Sequence, residues 1–510
     1  MDWIRTEVDG VPVYWSQDQD ADESGEAELR VGLVFRVGQA DEPLPRRGIT
    51  HLIEHLALYG VGQPLDHVNG EVDATTTTFY RSGSAEEVTA FVRTVCQALR
   101  NLPVERTMAE VQVLRTEAAG RSTGPIGPLL IWRYGSRGYG LPGYEEFGLG
   151  YQRPEDLRVW TDHWFTRGNV VLWVIGGPPP ADLRIDLPEG PRLAPPQPST
   201  TLPRTPAYFN ERVKGVGLLT VVDRTTAATL YSVVLRKTLH QVLRTELGIS
   251  YHQSASYDSR DATSAHLTAF ADGLAEVGEQ LVTAFAGVLD QLADTAIPAA
   301  QLAELVTQIR RTNQAAKDEL AARVTINAAT AELVGGKPIT IAETEAELDL
   351  VSPEDIRLVA VQARDNALLM LPGGTSPPGT RYSAAPGGSP GTVDGHVLEP
   401  TGEGRGKLIV GPFGVSLAQG LHFATVKFAE CQLVNAWPDG ARQLIGADGI
   451  SLHVDPAQWQ GGYIAPGIID ANVSPAVVLI QPARPGKPTP PAPEPVAAQA
   501  QQRRGLFRRR

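Results

Sequence analysis

The chain has 510 residues, a formal net charge of −13, 42% apolar residues and two cysteines. That length suffices for two or three domains with cores of ordinary size. The acidic balance excludes a general nucleic-acid binder, and Cys96 and Cys431 are too few and too far apart for a disulfide framework. The first residues lack a charged segment followed by an apolar one, and no stretch has the apolar length to span a bilayer, so the expected location is cytoplasmic.

Residues 31–35 form an apolar, β-branched run that predicts a strand. Val37-Gly38-Gln39-Ala40-Asp41-Glu42-Pro43 follows, then Gly48, then His51-Leu52-Ile53-Glu54-His55, an H-x-x-E-H string. On a helix, His51 and His55 are four apart and project from one face, near enough to hold a single Zn²⁺ at about 2.0–2.1 Å each. Glu54 then lies beside the metal, where a carboxylate takes a proton from a water that the metal has acidified. The plain alternative is a surface helix with two solvated histidines. Downstream, Asn69-Gly70-Glu71-Val72-Asp73-Ala74-Thr75-Thr76 is a turn-flanked segment leading into the strand around Thr78-Phe79-Tyr80. Helical apolar spacing over 86–99 breaks at Asn101-Leu102-Pro103, and a further helix is predicted over 104–119. It carries Glu110 and Glu117, two turns apart on one side.

This order of elements resembles the pitrilysin/insulinase family of zinc peptidases, the inverzincins, and among them the two-domain subgroup similar to the mitochondrial processing peptidase. The match rests on the V-G-x-x-D-E-P segment, the glycine before the pentad, the pentad itself, the N-G-x-x-D-A-x-T stretch and the late glutamate. The resemblance implies Zn²⁺ as cofactor, His51, His55 and Glu117 as its ligands, Glu54 as general base and Glu110 as a carboxylate that orients a ligand. It also implies that a peptide substrate is bound as an added strand along the edge formed by Val72, Asp73 and Ala74. Two departures stand out. The interval from His55 to Glu117 is shorter than in the family, and Asp73 occupies a position where asparagine is usual.

Further along, Arg244-Thr245-Glu246-Leu247-Gly248-Ile249-Ser250-Tyr251 is similar to the R-x-x-x-G-x-x-Y segment of the family's non-zinc half. By that likeness Arg244 and Tyr251 hold a peptide carbonyl and stabilise the oxyanion that develops on it. An ordinary surface helix is the alternative for this segment. The expected fold class is α+β, with two duplicated metallohydrolase-like α/β-roll domains, 1–186 and 207–371, then a Gly/Pro/Ser linker at 372–406. A small β-rich domain at 407–482, barrel-like or PH-like, and a Pro-rich tail at 483–510 with a basic end complete the chain. The duplication shows in an echo, since Pro154-Glu155-Asp156 and Pro353-Glu354-Asp355 each start a helix that leads into an Asn-led apolar strand.

Two such domains are half of the four that enclose a chamber in the larger single-chain relatives. The resemblance therefore implies a homodimer, or a heterodimer with a related subunit, in which Arg244 and Tyr251 complete the partner's site. The basic tail is read as a solvated end or as a contact for a membrane or an acidic partner. Against the peptidase stand two other readings: a non-catalytic partner or scaffold subunit, and an adaptor working through its C-terminal domain and tail.

Overall fold

A computed structural model describes residues 2–17, 28–61, 68–120, 124–404 and 406–485. His67 and the basic end of the tail lie outside these residues. The first unit is a six-stranded sheet built from β1 (Ile4–Val8), β2 (Val11–Ser16), β3 (Leu29–Phe35), β4 (Val68–Val72), β5 (Thr77–Gly83) and β6 (Val170–Ile175), in the spatial order β1-β2-β6-β3-β5-β4. Helices α1 (Ile49–Leu58), α2 (Ala85–Arg100), α3 (Thr107–Gly120), α4 (Ile126–Tyr134) and α5 (Pro154–Trp164) accompany it. One face of the sheet supplies Val31, Leu33, Phe35 and Leu172 to a core completed by Leu52, Ile53 and Leu56 of α1 and Phe91 and Val95 of α2.

The second unit repeats this path. Strands β7 (Ala207–Glu211), β8 (Gly215–Asp223), β9 (Gln253–Ser259), β10 (Ser264–Asp272), β11 (Leu368–Pro372) and β12 (Ser383–Ala384) are ordered β12-β7-β11-β8-β10-β9. In each sheet the last long strand of the unit runs parallel to one neighbour and antiparallel to the other: β6 against β2 and β3, β11 against β7 and β8. Helices α6 (Thr226–Leu239), α7 (Gly278–Asp294), α8 (Ala299–Ala315), α9 (Lys317–Leu333), α10 (Ile341–Leu350) and α11 (Pro353–Asp365) belong to it. The duplicated α+β architecture expected from the sequence is what the structure has.

The backs of the two sheets explain why β6 is buried along its whole length. A strand covered on both faces reads as a continuous apolar run. Here the second cover comes from the other unit: α9 lays Ala322, Ala328, Ala329 and Leu333 on Val34, Val171 and Trp173. Reciprocally, Leu129 of α4 packs on Phe209, Leu219, Leu368 and Met370 of the second sheet. Each unit thus lends a helix to close the other's core.

The stretch expected as a linker differs from a free connector. Ser383–Ala384 joins the second sheet as β12, and Ser389 lies along the third unit, donating its N–H to the Phe423 carbonyl at 2.6 Å. Strand addition through backbone groups needs no apolar side chains, so glycine, proline and serine there give no signal of it. The third unit has two four-stranded sheets sharing one core. One contains β13 (His396–Leu398), β14 (Lys407–Gly411), β15 (Gly414–Gln419) and β16 (His422–Lys427). The other contains β17 (Cys431–Ala436), β18 (Arg442–Gly446), β19 (Ser451–Val454) and β20 (Val478–Ile480), with α12 (Ile464–Asn472) beside them. Tight turns form at Pro438-Asp439-Gly440 and Ala447-Asp448-Gly449, and the unit begins before residue 407 because β13 pairs with β14. Among the described residues no helix is long and apolar enough to cross a membrane.

Candidate metal centre

The pentad occupies α1, and the segment ahead of it sets where that helix begins. Gly48 precedes the helix with φ +95°, a conformation that favours glycine, and it has no side chain to cap the free N–H groups. Glu42 does this instead: its carboxylate accepts from the N–H of Gly48 and of Thr50, both at 2.9 Å, and pairs with Arg47 at 2.7 Å. Glu42 and Arg47 are both buried. Just upstream, buried Arg36 pairs with Asp41 at 2.7 Å, and the N–H of Gly38 donates to Asp41. The V-G-x-x-D-E-P residues therefore anchor the helix that carries the pentad rather than join the candidate ligand group.

On that helix the two imidazoles stand one turn apart, ring centres separated by 5.1 Å. Their Nε2 atoms each lie 3.7 Å from Oε2 of Glu117, on α3. Tetrahedral zinc ligands at about 2.0–2.1 Å sit roughly 3.3 Å from one another. Both imidazole-to-carboxylate distances are within a few tenths of an ångström of that separation, and one ligand atom from each of the three residues lies within 4.8 Å of the others, so the group fits a single zinc after side-chain adjustment of the partly exposed Glu117. Glu54 is buried beside this point, 3.9 Å from Nε2 of His51 and 3.8 Å from that of His55.

The far nitrogens are held by carboxylates. Nδ1 of His55 faces Glu110 at 3.5 Å, the orienting role expected of that residue, and Arg106 approaches Glu110 at 3.4 Å. Nδ1 of His51 meets Glu146 at 2.9 Å. With Nδ1 as the donor, each ring turns the Nε2 lone pair toward the shared point. Burial lowers the affinity of His51 for a proton, but Glu146, Glu54 and Glu117 outweigh it and the net shift is upward. Burial and the neighbouring His51 shift His55 downward. Glu146 was not evident from the sequence, because it sits in an irregular stretch with no spacing that links it to the pentad. In the structure it also lies close to Gly48, where a Cβ would stand 2.8 Å from the Glu146 Cβ.

The sheet edge beside the site is β4. The expectation for the edge residues needs correction: Val72 closes the strand, but Asp73 and Ala74 lie in the hairpin turn to β5. Their carbonyls already accept from the N–H groups of Gln39 and Ala40 at 2.9 and 2.8 Å, so they offer no free edge. This turn is tight, with Asp73 N–H donating to Thr76 O at 2.8 Å. Antiparallel alternation then directs the amides of Asn69 and Glu71 toward β5 and those of Val68, Gly70 and Val72 outward. The Val72 carbonyl is taken by Gln39 Nε2 at 2.8 Å. Gly70 passes directly over the Glu54 carboxylate, and a Cβ there would overlap it.

Arg244 and Tyr251 are on the second unit, paired with each other. The guanidinium donates to the Tyr251 carbonyl at 3.1 Å and stands 4.7 Å from the ring centre. Arg244 belongs to a π-helical turn, His240–Glu246, and Tyr251 is 75% exposed. The loop is pinned by Asp272, whose carboxylate accepts from the N–H groups of Tyr251 and His252, both at 2.8 Å. The structure brings His51, Glu54, His55, Glu110 and Glu117 together with β4. Arg244 and Tyr251 are not within hydrogen-bonding distance of that group.

No family model and no curated protein matches the chain. Solved structures do. A protease from Helicobacter pylori superposes with a TM-score of 0.60 at 14% identity, over 74% of this chain and 99% of that one. An inactive M16 peptidase domain from Pseudomonas fluorescens gives 0.60 at 13% identity, over 75% and 100%. An M16-like peptidase from Alicyclobacillus acidocaldarius gives 0.56 at 17% identity, over 72% and 98%. The chain has the M16 peptidase fold. Each of these three chains covers about three quarters of the present one.

The edge above Glu54 and the turn beyond it each carry a testable expectation. Gly70→Ala forces Glu54 aside while leaving the three ligands in place, so zinc content should hold while any hydrolysis falls on the order of 10²-fold; equal turnover would show that Glu54 does not need this position. Asp73 stands at the rim of the cleft between the units. Burial, then the charges of Glu71 and Asp258, push its carboxyl up to about 6 from the ordinary 3.8. A folded value above the unfolded one means that the ionised form is disfavoured in the fold, so this residue costs stability increasingly as pH rises from 3.8 through about 6. Asp73→Asn should therefore raise the melting temperature above that range, with the gain gone below it; a pH-independent difference would refute the assignment.

Proposed function

We propose that the chain is a zinc-dependent metalloendopeptidase acting on peptides or unfolded segments. The observation that carries this reading is the convergence of His51 Nε2, His55 Nε2 and Glu117 Oε2 on one point, beside buried Glu54 and next to Gly70 of the edge strand β4. Zinc held by these three residues would polarise the scissile carbonyl and acidify water at its open position. Glu54 takes a proton from the attacking water and returns it to the leaving amide nitrogen. Glu146 and Glu110 keep both imidazoles turned to the metal. The outward backbone groups of Val68 and the Gly70 carbonyl pair with an extended peptide, and the Gly70 N–H joins them by giving up Asn69 Oδ1, to which it donates at 3.0 Å; such pairing selects chain conformation rather than sequence.

The purified protein is expected to hold one zinc per chain, and His55→Ala to lose it, since two protein ligands retain zinc weakly. Glu54→Gln should keep zinc and lose hydrolysis by about 10²–10⁴-fold, because the amide preserves shape without the basic oxygen. Glu117→Gln should weaken zinc first. Metal analysis and a mixed-peptide assay decide: a wild-type chain without zinc or turnover belongs to the scaffold reading, and full zinc in His55→Ala overturns the ligand set.

The proposal extends to a dimer completed in trans. The chain spans 55% of the periplasmic protease PqqL from Escherichia coli, with 87% of its own length covered, at 14% identity and a TM-score of 0.58. The Arg244–Tyr251 pair is exposed, which leaves it open to contact by another chain. Mixing Glu54→Gln and Tyr251→Phe proteins should then restore activity, because one chamber of the heterodimer holds an intact base and an intact tyrosine. Verified heterodimers of two impaired parents that show no recovery would place the whole site in one chain.

A further inference from the structure

The residue that orients His51 sits between α1 and the third unit. Glu146 belongs to the irregular stretch 144–152, which has no strand or α-helix to fix it. On one side this stretch is stitched to the entrance of the metal helix: Gly148 N–H donates to the Arg47 carbonyl at 3.0 Å and Leu149 is buried against the core around α1, while Arg47 Nε donates to the Leu141 carbonyl just before the stretch at 2.9 Å. On the other side, Tyr144 and Phe147, two residues before and one after Glu146, pack with Tyr151 against Leu433, Ile445 and Leu479 of the third unit.

Polar contacts reinforce the same face. Tyr151 Oη donates to Gln481 Oε1 at 2.8 Å, and Gln481 is itself fixed by its N–H to the Ala436 carbonyl at 2.8 Å and by its amide to Asn435 at 2.7 Å. Ser136 donates from N and Oγ to the carbonyls of Ala447 and Gly446, at 3.2 and 2.8 Å. Leu44, in the segment between the capping Glu42 and α1, is buried in the same cluster. The third unit therefore touches both the approach to the metal helix and the loop that presents the partner of His51.

We infer that the β-rich third unit is a clamp on the metal centre, and that Tyr151, Ile445 and Leu479 are positioning residues acting through Glu146 on His51. This rests on reading His51 as a zinc ligand. An imidazole with an unfixed Nδ1 partner rotates and binds zinc less tightly, and loss of such a carboxylate costs about 10–100-fold in metal affinity. Undocking the third unit leaves Glu146 in place chemically but frees the loop that aims it, so it should cost part of the same factor.

The test uses the full-length chain and zinc affinity by competition with a chelator. Leu479→Ala and the milder Tyr151→Phe should weaken zinc in that order of severity, Leu479→Ala by about tenfold. Glu146→Ala should weaken it at least as much, and adding either interface change to Glu146→Ala should bring no further loss, since the route to the metal is already cut. Leu421→Ser, on a fully exposed turn of the third unit, should leave affinity as it was. The clamp is overturned if the interface variants lower the melting temperature yet bind zinc as tightly as wild type, or if their effects multiply with Glu146→Ala. A wild-type chain that takes up no zinc, or a Glu146→Ala protein with normal affinity, overturns it too. Only the former also removes the zinc reading itself.

Discussion

Everything at the candidate metal centre depends on a buried carboxylate at the start of one helix. The helix that carries His51, Glu54 and His55 begins at a glycine, so its first N–H groups have no local cap. Glu42 supplies the acceptors, and Arg47 neutralises it where neither can reach water. A buried pair of this kind is weak evidence of net stability, but removing one partner leaves an uncompensated charge and is strongly destabilising. What it confers is placement. The helix can start at only one residue, and the two histidines, four apart, inherit their direction from that start.

The electrostatics around the imidazoles carry the same logic outward. Glu54, Glu110, Glu117 and Glu146 all stand within 4 Å of a histidine nitrogen, with Arg106 near Glu110. Four carboxylates sharing so small a volume repel one another, and a dication at the point where the Nε2 atoms meet Glu117 would offset that repulsion. The carboxylates also divide by role through position alone. Glu117 reaches the shared point from another helix, Glu54 lies beside it, and Glu110 and Glu146 stand behind the rings.

How much of this was legible in the sequence depends on how local each contact is. The pentad is a one-turn pattern on one helix, so spacing alone places His51, Glu54 and His55. Glu110 and Glu117 are singled out through a likeness in element order, and the structure sets them 3.5 and 3.7 Å from histidine nitrogens. The duplication was visible as an echo and returns as two sheets with the same strand path. Glu146 was not legible, because its contact with His51 joins an irregular loop to a helix 95 residues away in the chain. Two of the three residues expected on the edge, Asp73 and Ala74, lie in the turn beyond it, since a tight turn at Asp73-Ala74-Thr75-Thr76 and a strand edge read alike until the backbone partners are known.

The repeat also shows what one scaffold can do twice. In the first unit the helix after the central strand carries the pentad and ends at Leu58, and β4 comes next as the sheet edge. In the second unit α6 holds the equivalent place but lacks histidines and glutamates, and it runs on into the π-helical turn that bears Arg244 before β9 takes the edge. A π-turn inserts a residue into the helical ladder and rotates the residues after it, a device found frequently at functional sites. At the same point in the same fold, the first unit thus gathers acceptors for a cation and the second turns out a cation beside an aromatic ring. Two copies of one topology, each lending the other a helix for its core, hold these unlike groups on the same framework, which is the arrangement expected of a site assembled from non-identical halves.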